Sequence, residues 1–206
     1  VLIWFTGWIA KAVSYIIRTP ENQEKEVFRL KYISAGPLAT PELSVEQAFE
    51  EIIHFAQVSK NGALYAKNAI NEADTDQFEV YREKLVKYEE ISDRIEYEIA
   101  SFLNGVSSEE ISESTSAKIK AMYKIIGELE SLGNSGETIS RILSRKNIHK
   151  KSFNAETLKN LNAMADAVCE TYDVMIENLV AAHKGELTDI TNAYNAEDHL
   201  NTLRNN

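Results

Sequence analysis

Three pairs of oxygen-bearing side chains recur at a spacing of four: Glu89 with Asp93, Glu130 with Asn134, and Glu197 with Asn201. On a helix, residues four apart are neighbours on one face. At about 100° per residue each pair falls on the flank of an apolar stripe, where side chains of adjacent helices converge. Two carboxylates so placed can offer oxygens to one hard cation or to iron. The same spacing is common on solvated helix faces, so the pattern alone is weak. Glu51-Ile52-Ile53-His54 has the Glu-x-x-His spacing of a di-iron bundle. That centre needs a second such motif and two more Glu on facing helices. His149, His183 and His199 each lack a Glu three residues earlier, so His54 reads as a half-buried or surface histidine. Cys169, the sole cysteine, lies on the apolar side of its segment with no His at catalytic spacing, and reads as a packed thiol. There is no Walker-type phosphate loop and no nucleophile elbow. The chain reads as non-enzymatic.

The elements that must position these residues are helices. The chain has 206 residues, 44% hydrophobic and 26% charged, as expected of a globular chain with a substantial core. Its three prolines all fall at or before Pro41, so nothing forces a helix to break beyond that point. A net charge of −10 makes phosphate neutralisation, and hence nucleic-acid binding, a poor fit. A single cysteine suits a reducing compartment.

Residues 18–41 form a connector that holds all three prolines. The first helix is predicted from Thr40-Pro41, a cap residue followed by proline at the first helical position, with Ser44-Val45-Glu46-Gln47 as a competing capping box. It should end near Asn71–Asp76. The second helix carries the seam Tyr81, Leu85, Tyr88, Ser92, Ile95, Ile99, Phe102 and should stop at Asn104-Gly105. Ser107-Ser108-Glu109-Glu110 reads as the capping box of the third helix. Its stripe is Ile119, Met122, Ile126, Leu129, Leu132, Gly136, Ile139, Leu143. Gly133 and Gly136 would let a neighbouring helix approach closely. A fourth helix is expected from Asn154 to Lys184-Gly185 and a fifth from Leu187. The basic run Arg141–Lys151 reads first as cations at a helix C-terminus, and second as a local anion or lipid-headgroup contact. The segment around Glu89–Ile95 weakly repeats at Glu197–Leu203.

The first seventeen residues, VLIWFTGWIAKAVSYII, carry only one charge, Lys11. They lack the charged start and cleavage site of a signal peptide. Three readings stay open: the end of a transmembrane helix, a helix lying in the membrane interface, or a buried soluble helix. In the membrane readings Trp4, Trp8 and Tyr15 sit at headgroup depth and Arg18 marks the cytoplasmic exit. The chain reads as a piece of a longer protein.

Three segments in order carry a family resemblance. ELESLGNSGETISRIL in the third helix resembles the signature helix of PhoU-type domains, and YEEISDRIEYEIASFL in the second resembles that family's Glu-x-x-x-Asp helix. LKYISAGPLATPELSVEQAFEEIIHFA resembles the connector after the membrane part of bacterial sodium/phosphate cotransporter-family proteins. The resemblance spans about residues 25–206. It implies an all-α, PhoU-like fold of long antiparallel helices in two tandem three-helix units, 42–150 and 151–206, the second incomplete. It further implies a regulatory role in sodium-dependent phosphate transport, at the cytoplasmic side of the inner membrane. The partners would be the chain's own upstream membrane domain, the bilayer and, in a homodimer, a second copy. A soluble PhoU-type adaptor for a transporter or sensor kinase is the alternative. In the family such motifs bind iron or other metals. Glu89, Asp93, Glu130 and Glu197 keep the acidic pattern, but Asn134 and Asn201 replace acids, and a neutral amide oxygen is a weaker ligand. The expectation is no cofactor beyond a weakly held divalent metal or iron.

Overall fold

The computed structural model describes residues 30–33 and 40–205. Among the described residues five helices follow one another: α1 (Pro41–Asn71), α2 (Thr75–Ser107), α3 (Glu113–Ile148), α4 (Ala155–His183) and α5 (Thr191–Asn205). No strand occurs among the described residues. The fold class is all-α, as the periodicity predicts.

Side-chain caps set most boundaries. Thr40 accepts from the Leu43 amide with Pro41 just inside α1, so the upstream cap wins over the Ser44 box. Ser44 is instead buried, its hydroxyl donating to the Thr40 carbonyl at 3.2 Å. Asp74, Ser112 and Asn154 cap α2, α3 and α4 in the same way. Two boundaries differ from expectation. Fully buried Val106 draws α2 on to Ser107, and Ser108 donates its hydroxyl to the Gly105 carbonyl at 2.6 Å, so the cap of α3 falls at Ser112. The fifth helix starts at Thr191, not Leu187. Leu187 and Ile190 have no buried face to draw them into the helix, and Asp189 accepts from the Thr191 amide at 3.0 Å. Gly185 ends α4 in the left-handed conformation, φ +72°.

Among the described residues α1, α2 and α3 pack on one another, α4 packs on α1, and α5 packs on α4 alone. The main core joins the first half of α1 (Val45, Ile52, Phe55) to the later part of α2 (Ile95, Ile99, Leu103) and the first half of α3 (Ile119, Met122, Ile126). Tyr172, Val168, Met175 and Leu179 of α4 join the same core. A smaller cluster at the other end gathers Ala66, Ala69, Phe78, Leu85 and Leu143.

Along its seam with α1, α4 is tied by polar pairs in antiparallel register. Lys60 pairs with Asp173, Lys67 with Asp166, and Asn71 exchanges amide hydrogen bonds with Asn162 at 2.6 and 2.8 Å. Seven and then four residues up α1 match seven and four down α4. Inside this row the hydroxyls of Ser59 and Tyr172 meet at 2.8 Å, both buried. Burial holds the Tyr172 hydroxyl above its ordinary pKa, only partly offset by the Ser59 bond. Tyr172→Phe should therefore cost about 1 kcal/mol, because Ser59 loses its buried partner. The check is a urea-unfolding cycle with Ser59→Ala, in which the double variant recovers part of that loss. Full additivity would show that the two hydroxyls do not interact.

Candidate functional site

The acidic flank of the α2–α3 pair rests on a close helix contact. A Cβ added at Gly133 of α3 would lie 2.7 Å from the Ser92 hydroxyl oxygen and 2.9 Å from the Ser92 Cβ on α2. The glycine is what lets the two backbones approach. Glu89 is half-buried beside this contact and Asp93 is exposed. Desolvation raises the Glu89 pKa above its ordinary value. The negative charges of Asp93, Glu137, Glu90 and Glu130 push it further in the same direction. The structure thus brings Glu89, Asp93 and Glu130 into one electrostatic neighbourhood. Asn134 donates its amide to Glu130 within its own helix. Glu197 and Asn201 lie on α5, which among the described residues packs only on α4 and so stands apart from the α2–α3 flank. Among the described residues no group of three or more His, Cys, Asp or Glu is placed to hold a metal ion.

The sign of the Glu89 effect is testable. A carboxyl whose folded pKa is raised costs stability once pH rises through its ordinary value of 4.5. Removing the like-charge pair with Asp93 by Glu89→Gln should stabilise the fold at pH 7 by about 0.2–0.5 kcal/mol. The gain should vanish at pH 3, where the wild-type carboxyl is already neutral. Chemical denaturation at both pH values reads it.

Glu51 does something its Glu-x-x-His spacing did not suggest. Its side chain is fully buried. One carboxylate oxygen accepts from the backbone amides of Lys31, Tyr32 and Ile33 at 2.8, 2.6 and 3.4 Å. The other contacts His54 Nδ1 at 2.9 Å. Burial alone would raise its pKa; the His54 bond and the backbone amides outweigh that and hold the carboxyl below its ordinary value. Glu51 is therefore a clasp that fixes residues 30–33 against α1, with Leu30 and Ile33 packed on the core. The only sequence signal was a carboxylate at a core-facing position of α1, beside Ile52.

A cleft also escaped the sequence reading. Although consecutive, α3 and α4 do not pack on one another among the described residues. Between them, floored by α1 and α2, lies a half-open cleft of about 490 Å³. Its walls are almost wholly carbon, from Leu132, Gly136 and Ile139 on α3 to Leu161, Met164 and Ala165 on α4. The predicted α3 stripe is real, but its second half faces this space: Leu132 and Ile139 remain 42% and 36% exposed. Cys169 is half-buried, and burial pushes its thiol above the ordinary value, so it is a poor nucleophile.

No helix among the described residues is long and apolar enough to cross a membrane. The membrane-proximal candidates Trp4, Trp8, Tyr15 and Arg18 lie outside the described residues. The chain matches no family model, no curated protein and no solved structure.

Proposed function

We propose that this chain is a PhoU-like regulatory region of a sodium-dependent phosphate transporter, held at the cytoplasmic face of the inner membrane and without catalysis of its own. The observation that carries the reading is a pairing. The two helical segments that resemble PhoU-type signatures are the two whose backbones meet at Gly133 and Ser92. A small-residue contact of this kind makes the pair a rigid unit, suited to transmitting a change of position rather than to performing chemistry. The Glu51 clasp supports the same reading, because it ties the chain leading in from the apolar amino-terminal segment to the bundle. In this reading the upstream membrane domain and the bilayer are the partners, a homodimer is compatible, and substrate passes through none of the residues described. Any cation at Glu89, Asp93 and Glu130 is weakly held, since Asn134 brings no charge.

The test is the complete reading frame expressed in cells stripped of their own phosphate uptake. Sodium should stimulate uptake of radiolabelled phosphate, and deleting residues 40–206 should change its dependence on internal phosphate while leaving transport itself. Absence of sodium-stimulated uptake would overturn the transporter reading. Phosphate-dependent capture of a sensor kinase in the same cells would point to the adaptor instead.

A further inference from the structure

We propose that the cleft between α3 and α4 binds a single-chain anionic amphiphile, an acyl chain ending in a carboxylate. Shape comes first. The cleft runs along α1 from Val58 to Ile70, about 18 Å at the helical rise of 1.5 Å per residue. The cleft offers about 490 Å³, within the range of small-molecule sites.

Chemistry comes second. Three of the polar side chains along the walls already have partners. Ser59 and Tyr172 bond to each other, and Lys67 pairs with Asp166. A hydrocarbon chain needs no hydrogen bonds from walls that are almost wholly carbon. The mouth near the end of α3 is different. Phe153 lines the cleft there, and the Lys146 ammonium sits over its ring, 4.7 Å from the centroid. Arg145, Lys150 and Lys151 crowd the same turn, and none of these four cations makes an ion pair among the described residues. On a chain of net charge −10 this is a local reversal of sign at one end of an apolar slot. Lys150 also takes a left-handed backbone conformation, φ +51°, that glycine would adopt more easily. An apolar slot with a cationic mouth is complementary to an acyl chain with an anionic head. The proposal does not depend on the transporter reading, because it concerns free ligand and purified protein.

Calorimetric titration with palmitate, below its micellar concentration, tests it. Saturable binding of one palmitate per chain is expected. Ala165→Phe, which fills the slot, should weaken binding at least tenfold with circular dichroism and thermal midpoint retained. If that variant does not fold, Gly136→Leu fills the slot from the opposite wall, where a Cβ meets only Leu85 at 3.5 Å. Charge reversal at Lys146, Lys150 and Lys151 should weaken palmitate several-fold and leave 1-hexadecanol unchanged. No saturable binding by wild type, or palmitate bound equally by the filled variant, would overturn the proposal. So would equal loss of palmitate and hexadecanol on charge reversal, or a dimer in sedimentation that Ala165→Phe dissolves.

Discussion

Glu51→Ala should release residues 30–33 from the bundle and lower stability at pH 7 by about 2–4 kcal/mol, because three backbone amides lose a buried anionic acceptor at once. For a chain of this size that is a fall of roughly 5–15 °C in thermal midpoint. A generic core truncation would cause a similar fall, so the discriminating measurement is local. Hydrogen exchange of the Lys31 and Tyr32 amides should become fast in Glu51→Ala while the α2 and α3 amides stay protected. Continued protection of Lys31 and Tyr32 would show that the clasp holds nothing. Glu51→Gln should fall between, since its carbonyl still accepts from the backbone amides but carries no charge. His54→Ala should cost less than either, because that ring is 22% exposed and gives Glu51 one contact, whereas the backbone amides give three. The pH dependence follows from direction. A carboxyl whose folded pKa is depressed stabilises above its ordinary value of 4.5, and the contribution is lost as pH falls through the lower, folded value. Exchange of Lys31 and Tyr32 should therefore accelerate in acid before global unfolding, and this acid step should be absent from Glu51→Ala.

What the sequence disclosed and what it withheld divide along a physical line. Helix existence and facing were legible because they depend on local periodicity: Leu85, Ile95, Ile99 and Phe102 were expected inside α2 and are buried there. The Thr40, Asp74–Thr75 and Asn154 starts lie where short polar side chains can cap. The starts of α3 and α5 were misplaced because several serines or a short apolar pair compete for the same role. Tertiary burial of Val106 decided the first of these. The close approach at Gly133 was foreseeable from a glycine in a helical stripe. The cleft was not. Leu132, Gly136 and Ile139 obey the seam periodicity, but periodicity cannot say whether a facing helix arrives. Here α4 leans on α1 through its row of polar pairs and leaves the second half of that seam open. Glu51 was noticed only for its spacing to His54, and the di-iron reading of that spacing fails for want of a second motif. Its partners at positions 31–33 lie too far off in sequence for any local motif to reveal. The acidic pairs show the same limit, since α5 carries Glu197 and Asn201 away from the flank that Glu89 and Glu130 share.

The second large effect is a contrast between two glycines of α3. Gly127→Ala and Gly133→Ala make the same chemical change in one helix, so the gain in helix propensity, about 1 kcal/mol, is common to both. At Gly127 a new Cβ meets nothing within 4 Å, and the variant should be more stable than wild type by close to that amount. At Gly133 the new Cβ would meet both the Ser92 hydroxyl oxygen and the Ser92 Cβ at less than 3 Å. Rotating the hydroxyl away cannot relieve the second contact, because Cβ is fixed to the α2 backbone. The helices must separate, and overpacking of this kind costs about 1–3 kcal/mol. The two alanine variants should thus differ in stability by that amount, with Gly133→Ala the weaker. The relief is equally specific. Ser92→Ala removes only the hydroxyl contact and should restore Gly133→Ala in part, whereas Ser92→Gly removes both contacts and should restore the packing loss nearly in full. A Gly133→Ala variant as stable as Gly127→Ala in urea unfolding would mean that α2 and α3 do not meet at this point. The rigid pairing on which the regulatory reading rests would go with it.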